Sequence, residues 1–298
     1  MSTPFEPVEP TEYADYTPRD ISAPPPQAEV VTPDNPPWGV LGGGGLWLAS
    51  VALVVICPVL FLAGYLLQQG VGAQEWPRVA TSDPTAIFVQ IVATVPAHLL
   101  TLGLAWLIIT GAGRRPFFRS LGWEWGGGFR LWNSAALAVG LLLLGYFILS
   151  LTGKPKTQLD EILESSRATA LATAFLATFT APLVEEVVYR GVLYSGLRKY
   201  FGAAWAGVCV IVLFALVHVP QYLPSFGTIA IILLLSIVLT VIRARSGQLL
   251  PCFVVHLVFN GIQSALIVAE PYLKRFLPET PPAPAPDPAL ILRLLGLI

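Results

Sequence analysis

The sequence predicts an all-α protein, a bundle of about seven or eight helices that crosses a membrane repeatedly. Of its 298 residues, 55% are hydrophobic and 12% are charged, whereas a soluble globular domain carries about 25% charged residues. The apolar residues are gathered in long runs, and a helix needs about 20 such residues to cross the hydrocarbon core of a bilayer. Lipid, rather than water, is therefore the predicted solvent of most of the chain.

Seven runs approach this length. They cover residues 46–67, 86–110, 131–151, 168–189, 203–219, 227–242 and 249–268. The sixth run is short and the fourth can extend further, so eight crossings are also compatible with the pattern.

The two ends of the chain have a different composition. Residues 1–40 are rich in proline and acid with a single basic residue, Arg19, and such a segment buries too little apolar surface to fold. It is predicted to be a disordered tail, and it lacks the positive start of a signal peptide. Residues 41–277 form the predicted transmembrane domain. Residues 278–298 form a second, proline-rich tail that ends in a short apolar run.

Basic residues in the loops predict the orientation. On a model of seven spans, the strongest basic loop lies on the same side as the N-terminus and as two further basic pairs. These residues are Arg114, Arg115, Arg119, Arg130, Arg198, Lys199, Arg243 and Arg245. Since basic loops accumulate in the cytoplasm, the prediction is a multi-pass protein of the cell membrane with a cytoplasmic N-terminus. The net charge of −1 and the lack of a basic face predict no nucleic-acid partner.

Polar side chains interrupt three of the apolar runs, and these positions predict the functional site. Ionisable side chains at bilayer depth are costly and mark functional paths or sites. The residues concerned are Glu185, Glu186 and Arg190, then Phe214 and His218, then His256 and Asn260. Three such motifs in three spans are poorly explained as separate structural contacts between helices.

The spacing within the first motif assigns different tasks to its two carboxylates. Glu186 and Arg190 are one helical turn apart and can form an ion pair. Glu185 points away from that pair, and a carboxylate in a low-dielectric pocket suits a general base that acts near neutral pH. If the helix turns near Phe201–Gly202, Glu185 and His218 are equidistant from the turn and lie level across the interface.

The three motifs resemble those of the CAAX prenyl protease 2 and bacteriocin-processing family of intramembrane endopeptidases, also called CPBP or Abi proteins. The shared pattern is E-E-x-x-x-R, F-x-x-x-H and H-x-x-x-N on successive helices, and here it covers about residues 168–268. The resemblance implies a buried catalytic cavity in which a peptide bond of a membrane-associated or lipidated substrate is hydrolysed.

The resemblance also implies a role for each matched residue. Glu185 is expected to be the general base on water, with His218 helping to hold that water. His256 and Asn260 are expected to donate hydrogen bonds to the oxyanion. The remaining matched residues, expected to support this geometry, are Glu186, Arg190 and Phe214.

Other interpretations stay open. Glu185, His218 and His256 could supply the three protein ligands of a catalytic zinc, although no H-E-x-x-H helix is present and a mechanism without metal is favoured. A non-catalytic binding or chaperone protein is a second function that such a bundle allows. A transporter that uses Glu185 and Glu186 as a proton relay is a third, and the lack of an internal repeat argues against it.

Overall fold

The computed structural model describes residues 31–273, except for the side chain of Pro271. Within this range the protein is helical and contains no strand, so the predicted all-α class is confirmed. The predictions for residues 1–30, for residues 274–277 and for the C-terminal tail at 278–298 lie outside the described residues.

Twelve α-helices follow one another in the described range. They are α1 (Val40–Gln68), α2 (Trp76–Ser82), α3 (Pro84–Val92), α4 (Thr94–Thr110), α5 (Phe117–Leu121), α6 (Leu131–Thr152), α7 (Gln158–Ser165), α8 (Arg167–Phe175), α9 (Ala181–Glu185), α10 (Tyr194–Tyr222), α11 (Phe226–Ser246) and α12 (Leu250–Leu273). The wider π-helical geometry joins α8 to α9 at Leu176–Thr180 and α9 to α10 at Glu186–Leu193. A helix satisfies its backbone polar groups within its own segment, as lipid requires, which is why the apolar runs take this form.

Six helical stretches in this range are long and apolar enough to cross a membrane. They are Val40–Gln68, Pro84–Thr110, Leu131–Thr152, Arg167–Tyr222, Phe226–Ser246 and Leu250–Glu270. The sequence predicted seven or eight, and the difference lies in the fourth stretch, whose 56 residues cover two of the predicted runs.

Gly202 divides this long stretch in two. Its φ of 78° and ψ of 169° leave the helical region, a conformation that glycine adopts without the steric cost of a Cβ atom. An unbroken helix of 56 residues, at about 1.5 Å per residue, would far exceed a hydrocarbon core of about 30 Å. The turn predicted near Phe201–Gly202 is thus present.

Two apolar clusters form the core. The first joins α1, α4, α10 and the segment 184–193, with residues such as Leu46, Ile109 and Val187. The second joins α6, α11 and α12, with residues such as Leu239 and Val255. The segment 184–193 contributes Val187 to the first cluster, while its charged side chains reach α11 and α12.

Residues 31–39, which we call the N-terminal strap, pack against the helices. Trp38 is 7% exposed, and its indole N–H donates to the carbonyl of Val192 at 3.0 Å. Asp34 pairs with Arg243 at 2.8 Å and with Arg198 at 2.7 Å. The folded part therefore includes residues that the sequence assigned to the disordered tail at 1–40, because the partners of these residues lie far along the chain.

The predicted basic regions meet at the end of the bundle where the strap lies. The backbone N–H of Leu249 donates to the carbonyl of Gly122, in the loop at 111–130, at 2.7 Å. Asp34 brings Arg198 and Arg243 to the same end. The predicted grouping of basic residues on one side thus agrees with the packing, and the cytoplasmic location of that side stays a prediction.

Candidate active site

The four predicted catalytic residues line one cavity of about 1040 Å³: Glu185, His218, His256 and Asn260. The same cavity reaches Lys154 and Glu164, whose side chains are 67% and 65% exposed. It therefore connects the polar side chains of the spans to the surface at the connection between α6 and α8.

The backbone around Glu185 departs from regular α-helical geometry. Glu185 ends α9, a helix of five residues that lies between the two π-helical segments. Pro182, in the first turn of α9, has no N–H to donate and so interrupts regular helical pairing. Single π turns inside helices are frequent at functional sites, and here they flank the carboxylate that faces the cavity.

Glu186 and Arg190 form the ion pair that their spacing allows. Arg190 Nη1 lies 3.1 Å from Glu186 Oε1, and both side chains are 0% exposed. The guanidinium also lies 4.5 Å from the centre of the Phe214 ring. A buried charge is tolerated when it is paired and hydrogen-bonded. Here the guanidinium pairs with the Glu186 carboxylate and packs against the Phe214 ring.

His256 links this pair to Glu185. Its Nδ1 lies 2.9 Å from Glu186 Oε1, and its Nε2 lies 3.7 Å from Glu185 Oε2. Since a carboxylate accepts hydrogen bonds, the Nδ1–H donates to Glu186 and the opposite edge of the ring faces Glu185. The two adjacent glutamates therefore occupy different sides of one imidazole, with Glu186 buried and the Glu185 side chain 24% exposed.

His218 is held by its own helix. A carbonyl oxygen only accepts, so His218 Nδ1–H donates to the carbonyl of Phe214 at 2.7 Å. The imidazole also stacks near the rings of Phe214 and Tyr222, with centroids 4.7 Å and 6.4 Å away. In the neutral ring Nε2 then carries the free lone pair and can accept a hydrogen bond from a ligand.

Asn260 is fixed by the segment that precedes the glutamates. Its Nδ2 donates to the carbonyl of Ala177 at 3.0 Å. A side-chain amide carries two N–H groups, so one donor remains for a ligand in the cavity.

Three polar residues near this constellation belong to none of the three motifs and were not predicted from the sequence. Tyr222 and Gln263 line the cavity, and Ser236 of α11 accepts a hydrogen bond from Arg190 at 2.8 Å. Tyr222 continues the spacing of four residues that joins Phe214 to His218, which is a signal that could have found it. Ser236 is a single serine in an apolar run, and the sequence holds no sign of its partner.

The donor set gives mixed support for a zinc ion. Both histidines donate through Nδ1, which leaves Nε2 of each as the atom that would bind metal. Histidines that bind zinc usually donate their other ring N–H to a carboxylate or carbonyl oxygen in this way. However, in residues 31–273 no three side chains of His, Cys, Asp or Glu come together in a group able to hold an ion. The alternative ligand set of Glu185, His218 and His256 is therefore not assembled in this arrangement.

Comparison with known proteins identifies the motif-bearing segment. Residues 167–262 match the model of the family described as type II CAAX prenyl endopeptidase Rce1-like. The predicted resemblance is confirmed. The Rce1-like segment covers about a third of the chain and contains all three motifs, from Glu185 to Asn260. No curated protein and no solved structure matches the chain.

Proposed function

We propose that this protein is an intramembrane endopeptidase that hydrolyses a peptide bond of a membrane-associated or lipidated protein. The observation that carries the proposal is the meeting of Glu185, His218, His256 and Asn260 around one cavity inside the Rce1-like segment. A cavity of about 1040 Å³ that opens among exposed side chains has room for a peptide as well as for water.

Glu185 is the proposed general base. It removes a proton from a water molecule while the water oxygen attacks the peptide carbonyl carbon, and it then gives the proton to the leaving amine. His218 accepts the second hydrogen of that water through Nε2, because its Nδ1–H is already bound to Phe214. General acid–base catalysis of this kind contributes about 10²- to 10⁴-fold in rate.

His256 and Asn260 are the proposed donors to the oxyanion. Since the His256 Nδ1–H is bound to Glu186, this histidine donates through Nε2, which carries a hydrogen when the ring is in its imidazolium form between Glu185 and Glu186. Each has one polar group fixed by the protein, His256 through Glu186 and Asn260 through Ala177, so each is oriented before the substrate binds. Donors fixed in advance in this way contribute about 2.7–4 kcal/mol each to the stabilisation of the transition state. No step of this proposed mechanism uses a metal ion.

We further propose that the N-terminus is cytoplasmic, since the larger of the two groups of basic residues lies at the end of the bundle that carries the strap. Helix α6 crosses to the other end, so Lys154, which lines the cavity, and Lys156, which pairs with the cavity residue Glu164, would face away from the cytoplasm. The new thiol of Lys156→Cys should then react with a membrane-impermeant maleimide in intact cells. Labelling only after lysis would contradict this orientation.

The test of function compares protein termini, by mass spectrometry of whole cells, for the wild type, Glu185→Gln and Glu75→Gln at matched expression. Glu75 is 60% exposed, pairs with Arg78 and is absent from the cavity lining, so its variant is the control for the same chemical change. New termini present with the wild type and the control, and absent with Glu185→Gln, would support the peptidase and name its substrate.

Identical termini in all three strains, in induced as well as ordinary growth, would contradict the proposal and favour a binding protein. Once a substrate is known, the purified enzyme separates the two chemistries. Turnover is expected to persist after prolonged dialysis against a zinc chelator, and loss of turnover that added zinc restores would overturn the mechanism without metal.

A further inference from the structure

Helix α11 contributes none of the motif residues, yet it contacts the buried arginine behind the cavity. Arg190 Nη2 donates to Ser236 Oγ at 2.8 Å and to the carbonyl oxygen of Ser236 at 3.3 Å. Ser236 is 0% exposed. This contact forms a polar link between α11 and the glutamate-bearing segment.

The position of the Arg190 guanidinium depends on few contacts. Nη1 binds Glu186, Nη2 binds Ser236, and Nε is buried with no hydrogen-bond partner among the described residues. The Phe214 ring lies against one face of the guanidinium, 4.5 Å from the Arg190 Cζ atom to the ring centre, and accepts no conventional hydrogen bond from it. Ser236 and Glu186 are therefore the two polar anchors that set its orientation.

Glu186 passes this orientation on to His256. Its Oε1 accepts from Arg190 at 3.1 Å and from His256 Nδ1 at 2.9 Å, whereas its Oε2 is buried without a partner. One oxygen atom thus carries both contacts. Hydrogen bonds in such a dry network polarise one another, so a change at one end alters the next bond along.

We infer that Ser236 is a positioning residue that acts through Arg190 and Glu186 to hold the His256 imidazole in its working orientation toward Glu185. The inference rests on the proposed function for its kinetic consequence, while its structural part concerns the ring alone. Without the Ser236 hydroxyl, Nη2 keeps only its longer contact with the Ser236 carbonyl oxygen, at 3.3 Å. The guanidinium then turns toward that carbonyl, its contact with Glu186 Oε1 weakens, and the acceptor that fixes the His256 Nδ1–H shifts.

The histidine content of the chain makes this testable by spectroscopy. The chain has three histidines, His98, His218 and His256, so ring signals from ¹⁵N-labelled histidine are few, and His256→Asn assigns those of His256. His98 contacts Thr180 at 2.9 Å and is absent from the cavity lining, so its signals serve as an internal reference.

The variants are Ser236→Ala, Ser236→Thr and Ser134→Ala, each as the full chain in lipid nanodiscs. Ser134 is a matched control, because it is also 0% exposed but its hydroxyl has no hydrogen-bond partner among the described residues. Ser236→Ala should shift the ring signals of His256 and leave those of His98 in place. Ser236→Thr keeps the hydroxyl and should restore the wild-type spectrum.

Once a cleaved substrate is available, Ser236→Ala should lower kcat about tenfold, the loss expected for one hydrogen bond to a charged group. KM should change by less than about twofold, because the contact serves the transition state rather than binding. Wild-type His256 signals and wild-type kcat in Ser236→Ala would overturn the inference, as would equal shifts in Ser134→Ala.

The positioning role of Ser236 and the proposed function can be contradicted independently of each other. If the wild type cleaves nothing while Ser236→Ala still shifts the His256 signals, the proposed function fails and the positioning role stands. If the wild type cleaves its substrate and Ser236→Ala changes neither the signals nor kcat, the positioning role fails and the proposed function stands.

Discussion

Two arginines, Arg190 and Arg243, are both completely buried, but they are neutralised in different ways. Arg190 pairs with an acid four residues earlier on the same helical stretch, and that acid is 0% exposed. Arg243 pairs with Asp34, an acid 209 residues away whose side chain is 36% exposed. The first pair therefore lies in a dry network beside the cavity, and the second lies where water reaches its acid.

The two networks also join different parts of the protein. Arg190 connects α11 and α12 to the segment that carries Glu185, through Ser236 and Glu186. Arg243 connects α11 to the N-terminal strap, through Asp34 and the carbonyl of Pro33 at 2.7 Å. The comparison indicates that one buried charge organises the candidate active site and the other fastens the chain before the first span.

The largest loss of stability is expected when the buried ion pair of Arg190 and Glu186 is broken. Arg190→Leu leaves the Glu186 carboxylate buried without its cation, and breaking a buried pair from one side costs about 3–5 kcal/mol. The free energy of unfolding in detergent should fall by this amount, and cleavage should be lost as His256 is displaced. A variant with wild-type stability would show that Glu186 does not depend on Arg190 for its charge balance.

The same substitution in the second network should cost less. Arg243→Leu leaves Asp34 in contact with water and with Arg198, which pairs with it at 2.7 Å. We expect a loss of about 1.5 kcal/mol, the lower end for a hydrogen bond to a charged group, with kcat unchanged. Equal losses of unfolding free energy in Arg190→Leu and Arg243→Leu would remove the distinction between the two networks.

The smallest effect is expected for an ion pair with neither burial nor a network. Lys156 and Glu164 meet at 2.7 Å near the cavity mouth, with side chains 57% and 65% exposed. The hydrogen bond and the charge of Glu164 raise the pKa of Lys156 above its usual 10.5. The contribution of the pair is thus complete below that value and is lost as the pH rises through the raised pKa.

Glu164→Gln should leave stability at neutral pH unchanged within error, because exposed pairs contribute little. The thermal midpoint, measured in low and in high salt, checks this expectation. A clear drop in low salt would show that the pair fastens α7 at the cavity mouth.

The local features of the site could be predicted from the sequence. The spacing of Glu186 and Arg190 predicts their ion pair, since residues four apart are neighbours on a helix. Glu185 and His218 are equidistant from the turn near Phe201–Gly202, which predicts that they lie level on two antiparallel helical halves, and in the structure both line the cavity. Both relations depend on distances along one chain segment, where helical geometry fixes the result.

Contacts between distant segments could not be predicted in this way. The proline-rich residues before the first span were predicted to be part of a disordered tail. No residue close to Asp34 in the sequence offers that carboxylate a partner. Its partners, Arg198 and Arg243, lie on α10 and α11. Ser236 was missed for the same reason, since a lone serine in an apolar run gives no sign of the arginine that it binds.

The sequence by itself determined the class of the fold, the positions of the spans and the residues of the three motifs, because lipid enforces helices and helices enforce spacing. Only the tertiary structure decided which carboxylate faces which nitrogen of His256, which oxygen of Glu186 carries two contacts, and where the strap lies. These depend on how helices far apart in the chain pack side by side, and no periodicity within one helix records that arrangement.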